Sequence, residues 1–119
     1  MSLPSADEIL EMPAGAELDA LIARWVMGER TTTPPYSTDL LAAWSVLERV
    51  FSIRSDAGFP RFEIAIAPRG GPHGDNWVCQ LTWDEIDRGY SKRRTMRAVA
   101  PDPPLAISRG CLAALLSAP

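Results

Sequence analysis

The chain has one histidine and two cysteines in 119 residues. A single histidine removes most Ser/His and Cys/His schemes, which need an imidazole to carry the proton. It stands in Gly70-Gly71-Pro72-His73-Gly74-Asp75. A metal site needs several N, S or O ligands converging, and His73 with Asp75 and a distant cysteine is a poor set. His73 therefore reads as an exposed loop histidine, with no metal and no cofactor expected. Cys79 and Cys111 are too few for a disulfide framework. Both lie among apolar residues, in Trp77-Val78-Cys79 and Gly110-Cys111-Leu112, and read as small buried hydrophobes. A reactive thiol needs a base or a cation beside it, and the sequence identifies none.

An excess of positive charge is also lacking, with 12 Lys and Arg against 15 Asp and Glu. The formal charge is −3 and the pI near 5.1, against the basic balance usual in a dedicated binder of nucleic acid or anionic membrane. No apolar run approaches the roughly 20 residues that span a bilayer. Residues 1–11 hold Asp7, Glu8 and Glu11 and no basic stretch, so no signal peptide is expected, nor a lipid anchor at either end. These absences point to the cytoplasm, and to no membrane partner.

What remains is ordinary for a globular protein: 46% hydrophobic and 23% charged residues. The length suits one domain with one core, taken as residues 1–119. Within it, 1–12 form a short N-terminal helical segment and 13–119 a layered core. Ser5 with Glu8 makes a capping box for a helix over 5–12, and Pro13-Ala14-Gly15 ends it. Leu18, Leu21, Ile22, Trp25 and Val26 space an amphipathic helix over 16–27, stopped by Gly28. Residues 29–36 form a loop stiffened by Pro34-Pro35. Ser37 or Thr38 is expected to cap the next helix, with Asp39 in its first turn. Leu40, Trp44, Leu47 and Phe51, joined by Leu41, Val46 and Val50, predict a helix buried over more than a narrow stripe.

Alternation follows. Phe62, Ile64 and Ile66 share one face of a first strand, and Trp77, Cys79, Leu81 and Trp83 one face of a second. The glycine-rich stretch 68–76 links them. Residues 84–92 read as a polar connection, and 94–100 as a weaker third strand with Met96 and Ala98 inward. Short connections favour an antiparallel meander. Asp102 caps the last helix, with Pro103 and Pro104 in its first turn; Leu105, Cys111, Leu112, Leu115 and Leu116 give it an apolar face. The fold class is α+β, in the order α-α-β-β-β-α after the short first segment. The three-stranded antiparallel sheet is layered with helices, since it cannot bury its own apolar face. If the second face, with Val78, Gln80 and Thr82, lacks a helix, self-association would cover it.

Three blocks of sequence resemble one family. They are Met12-Pro13-Ala14-Gly15 with Glu17-Leu18-Asp19-Ala20-Leu21-Ile22-Ala23 and Val26-Met27-Gly28; Tyr36-Ser37-Thr38-Asp39 with Ala42-Ala43-Trp44 and residues 46–48; and residues 98–109, ending Pro104-Leu105-Ala106-Ile107-Ser108-Arg109. In that order they resemble the phage ABA sandwich domain, carried by small phage and prophage proteins. The resemblance runs from about residue 8 onward, and the middle region fits it only in outline. It implies an α/β layered architecture and a bacterial host cytoplasm, and it brings no catalytic residues.

Candidate chemistry is thin. The glycine stretch matches neither phosphate-binding pattern and links two strands, so no helix N-terminus points at a ligand. Asp84, Glu85 and Asp87 are neighbours in sequence, with nothing to place a carboxylate pair in a cleft. Arg88, Lys92, Arg93, Arg94 and Arg97 form the one concentrated basic cluster. They read either as a solvated edge that discourages sheet-to-sheet association or as a partner-binding patch. Tyr36, with the 31–35 loop, joins that patch as an exposed contact, while most of Trp25, Trp44, Trp77 and Trp83 are expected in the core. The leading expectation is a non-enzymatic phage or prophage accessory protein that binds a protein partner, of phage or host. The alternative is a nucleic-acid-binding module using residues 88–97. The order α-β-β-β-α is that of a double-stranded RNA-binding domain, but such a domain grips phosphates with basic residues at its last helix. Here that position is Asp102-Pro103-Pro104-Leu105.

Overall fold

A computed structural model describes residues 3–29, 31–72 and 74–118. His73 and the side chain of Asp87 lie outside the described residues. Helix starts follow local signals. Helix α1 (Ala6–Glu11) begins at Ser5, whose hydroxyl accepts from the Glu8 amide at 3.2 Å while the Glu8 carboxylate accepts from the Ser5 amide at 3.3 Å. Helix α2 (Ala16–Trp25) ends slightly sooner than its apolar spacing suggests. Gly28, at φ 69°, turns the chain there, and the Glu29 amide donates to the Ala23 carbonyl at 2.7 Å.

Helix α3 (Leu40–Phe51) is capped by Asp39, whose carboxylate accepts from the Ala42 amide at 2.9 Å. Neither Ser37 nor Thr38 serves as the cap, and Ser37 has a different task. Fully buried, it donates its amide to the Asp19 carboxylate at 2.7 Å, and its hydroxyl accepts from the Gly15 amide at 3.0 Å. A polar group taken from water needs such partners, and here they pin the loop before α3 to the start of α2.

The strands β1 (Glu63–Arg69), β2 (Asn76–Asp87) and β3 (Tyr90–Ala100) form one antiparallel sheet in the order β1-β2-β3. The expected polar connection over 84–92 is instead paired strand: Asp84 lies opposite Arg93 and Glu85 opposite Lys92. Only Arg88 and Gly89 turn, at φ 52° and 84°. Two successive residues at positive φ are what a tight hairpin matching the twist of its strands requires. Alternation of apolar residues stops there because this end of the hairpin projects into solvent, where opposite charges across the strands stand in for burial.

Helix α4 (Pro103–Ser117) starts at Asp102, which accepts from the Leu105 amide at 3.1 Å. It lies on the face carrying Cys79, Leu81, Met96 and Ala98, and also touches α1, α2 and α3. The expected single apolar face is therefore an understatement. Residues 104–108 and 110–114 are all buried, as in a helix enclosed on every side. Small side chains make this possible. Gly110 packs so tightly on β2 that a Cβ there would stand 3.2 Å from Cys79 Sγ and 3.3 Å from Leu81 Cδ1. Arg109 leaves the same helix to donate to the carbonyls of Met12 at 2.8 Å and Val99 at 3.1 Å. The opposite sheet face is open to solvent at Ala65, Ala67, Thr95 and Arg97, while Val78 and Thr82 on the central strand are sheltered.

Overpacking of a tight core contact typically costs about 1–3 kcal/mol. Gly110→Val is therefore expected to lower the free energy of unfolding by about that amount, measured by urea titration. A variant as stable as the parent would show that β2 and α4 are not in close contact.

Candidate functional site

Helix α3 carries more apolar side chains than the core accepts. Ala43, Val46, Leu47 and Val50 are buried. Leu40, Trp44 and Phe51 stay about half exposed, at 52%, 54% and 50%, and Leu41 is 83% exposed. The expected broad burial of this helix fails because α4 already occupies the sheet beneath. Helix α3 lies beside α4 and stands off from β1, and an open cleft of about 570 Å³ remains between them. Ile64 and Ile66 of β1 and Trp77 of β2 line one side. Leu40, Trp44, Leu47, Glu48 and Phe51 line the other, and Pro103 with Ile107 close the back. Glu48 is the one charged residue in this lining. The volume lies within the range of ligand pockets, but no set of convergent polar groups accompanies it. A second hollow, of about 650 Å³, runs along α2 by Arg24, Trp25 and Glu29. It is larger and mixed in chemistry, so it gains less from shedding water.

The tryptophans divide. Trp83 is core, with Phe62 edge-on at 5.7 Å. Trp77 is half-buried in the cleft wall. Trp25 and Trp44 are exposed, against expectation; Trp25 lies beneath the Arg24 guanidinium at 5.2 Å.

The basic residues do not form one surface. Arg88 is at the hairpin turn. Lys92 and Arg94 share the face of Met96, and Arg93 and Arg97 share the other. Acids are interleaved with them. Arg93 pairs with Glu63 and, at 3.7 Å, with Asp84. Arg94 meets Glu85 at 3.1 Å. The Trp83 indole N–H, with Arg94 adding to it, holds the Glu85 carboxyl below its ordinary range. Asp84 and Glu85 are thus tied to cations on the hairpin and do not face a cleft.

Tyr36 is no contact residue: it is 1% exposed, and its carbonyl accepts from Ser108 Oγ at 3.0 Å. Among the described residues its hydroxyl is buried without a partner of proper geometry. Burial first, then the nearby Glu29 carboxylate, pushes the phenol up to about 12. Cys79 and Cys111 are both fully buried, and the hydrogen bond between them, with burial, raises the Cys111 thiol well above its ordinary range. Among the described residues no group of His, Cys, Asp and Glu is arranged to hold a metal, and no helix is long and apolar enough to cross a membrane.

No family model, no curated protein and no solved structure matches the chain. Its functional reading therefore rests on its own residues and geometry. The cleft is the feature that reasoning from sequence missed. Its signal was present in the surplus of apolar positions on α3, which run around more of the helix than one packing face needs.

Tyr36 carries a pH signature. Below its ordinary pKa of about 10 the phenol is protonated in both folded and unfolded chains. Between there and about 12 the unfolded chain releases a proton that the folded chain keeps, so stability falls as pH rises through this window. The loss approaches about 2–3 kcal/mol at the top of it. Tyr36→Phe, compared with the parent by urea titration between neutral pH and the top of this window, should lack that fall. An identical alkaline decline in both would contradict the burial of this phenol.

Proposed function

We propose that this protein works by binding another protein segment in the cleft beside α3. One observation carries the reading: a half-exposed Leu40, Trp44 and Phe51 face Ile64, Ile66 and Trp77 across an open cleft with a single charged residue in its lining. Aromatic and aliphatic side chains kept in water at one place mark a recognition surface. The shape favours an apolar segment over a small polar substrate, which would need fixed donors and acceptors. The phage-family resemblance supports the wider role, an accessory protein without catalysis in a phage or prophage. The buried, protonated thiol of Cys111 supports the same side, because the nucleophilic form is the thiolate. Nucleic-acid binding ranks below it, since Glu63, Asp84 and Glu85 already engage Arg93 and Arg94.

A photoreactive benzophenone residue placed at position 41, exposed on α3 next to Leu40 of the cleft lining, is expected to give a discrete protein adduct in host cells. Nuclease should not remove it, and Trp44→Glu should reduce it about tenfold. The same probe at position 95, on the open sheet face, should give none. Failure to obtain a protein adduct from position 41, or equal yields from both positions, would refute the proposal.

A further inference from the structure

The segment that fits this cleft, granting that it binds protein, is identified by the strand at its side. Strand β1 is an edge. Among the described residues β2 pairs along one side of it and no strand along the other. An open edge presents backbone donors and acceptors to any strand that can lie against it. The geometry points to β1 of a second copy of this chain, paired antiparallel about Ile66.

The sequence Glu63-Ile64-Ala65-Ile66-Ala67-Pro68-Arg69 complements itself in that register. Glu63, which already pairs with Arg93 of its own chain, falls opposite Arg69 of the other copy, where one exposed carboxylate meets both cations, and the two-fold axis makes the contact twice. Ala65 falls opposite Ala67, and Ile66 opposite its own counterpart. Opposite charges directly across a pair of strands favour it, and like charges oppose it. Neighbouring registers lose this match; a centre at Ala67 sets Glu63 opposite Gly71, with no charge to meet it. A shift by one residue would turn the isoleucines of one copy away from the cleft. A shift of the centre to Ala65 would set Arg61 against Arg69, two like charges. Pro68 lacks an N–H but lies near the end; successive residues turn their N–H groups to opposite edges, and the bonds at the centre of the join, around Ile66, do not need Pro68 as donor.

The same rotation covers the cleft. It keeps Ile64 and Ile66 of both copies, and with them both clefts and both α3 helices, on one side of the joined sheet. Leu40, Leu41, Trp44 and Phe51, which one copy leaves in water, are then gathered on that side from both copies. A strand edge and an apolar helix face, both without partners in one chain, are closed by one symmetric operation, as isologous dimers are built.

The test is sedimentation equilibrium on the full chain from low micromolar to about 100 µM. The parent is expected to be dimeric. Glu63→Arg and Arg69→Glu should each weaken association about tenfold or more, since each sets like charges opposite one another. Mixed in equal amounts the two variants should recover a dimer, because each then offers the charge the other needs. Circular dichroism of both variants should match the parent, Glu63 and Arg69 being exposed and the Glu63–Arg93 pair that Glu63→Arg removes lying at the surface. A parent that remains monomeric to about 100 µM, or a mixture that associates no better than either variant alone, would overturn the inference. An adduct from position 41 with a different protein and a monomeric parent would defeat the second copy and leave the binding role standing. No adduct and a monomeric parent would defeat both.

Discussion

Helix α4 has room for a large side chain on only part of its circumference. It runs through the centre of the molecule, with the sheet on one side and three helices around the rest. Ala106, Ser108, Gly110, Ala113 and Ala114 are the residues that let its neighbours approach. A glycine inside a helix costs about 1 kcal/mol against alanine. At Gly110 that cost is offset by the close approach of Cys79 and Leu81, where an added carbon would be crowded. The rest of the architecture follows. Because α4 takes the sheet face over β2 and β3, α3 has no place there and lies to the side, above β1. The cleft is the space left between a helix displaced by another helix and the strand it would otherwise have covered.

Polar contacts fix that arrangement from inside. Arg109 joins α4 to the end of α1 and to the end of β3. Ser108 holds the backbone at Tyr36, and Ser37 at the next position holds α2 through Asp19 and Gly15. A bond to a charged group is worth about 1.5–3 kcal/mol. Breaking one of these from a single side would strand a buried partner, so they act as position markers as much as sources of stability. The phenol of Tyr36 is the exception, a buried hydroxyl without a hydrogen-bond partner among the described residues. Its ring is part of the core.

Local signals were legible in the sequence because they act within a few residues. The Ser5 and Asp102 caps, the turn at Gly28 and the alternation through Cys79, Leu81 and Trp83 all lie where the pattern put them, although α2 itself ends at Trp25. The failures are long-range. Ser37 looks like a cap, but its hydroxyl accepts from the amide of Gly15, 22 residues earlier, and the role passes to Asp39. The hairpin over 84–92 looks like a loop because its strands are held by charge pairs and a two-residue turn, with no apolar alternation to betray them. Tyr36 looks exposed because it adjoins a polar, proline-containing loop, and Trp44 looks buried because it shares a helical stripe with Leu47. Which of those two enters the core depends on where α4 lies. The basic cluster, compact in one dimension, divides when a strand sends alternate residues to opposite faces.

Amide hydrogen exchange on the isolated chain tests the central position of α4 most directly. If α4 is enclosed as described, its amides from Ala106 to Leu115 exchange only through global unfolding, with the same denaturant dependence as the slowest amides of β2. The amides of α1, a six-residue helix at the surface with one buried side chain, exchange faster. Exchange of α4 through a smaller opening, while β2 stays protected, would contradict the account. The helix would then be a detachable cover on the sheet, and the cleft would have no fixed back wall.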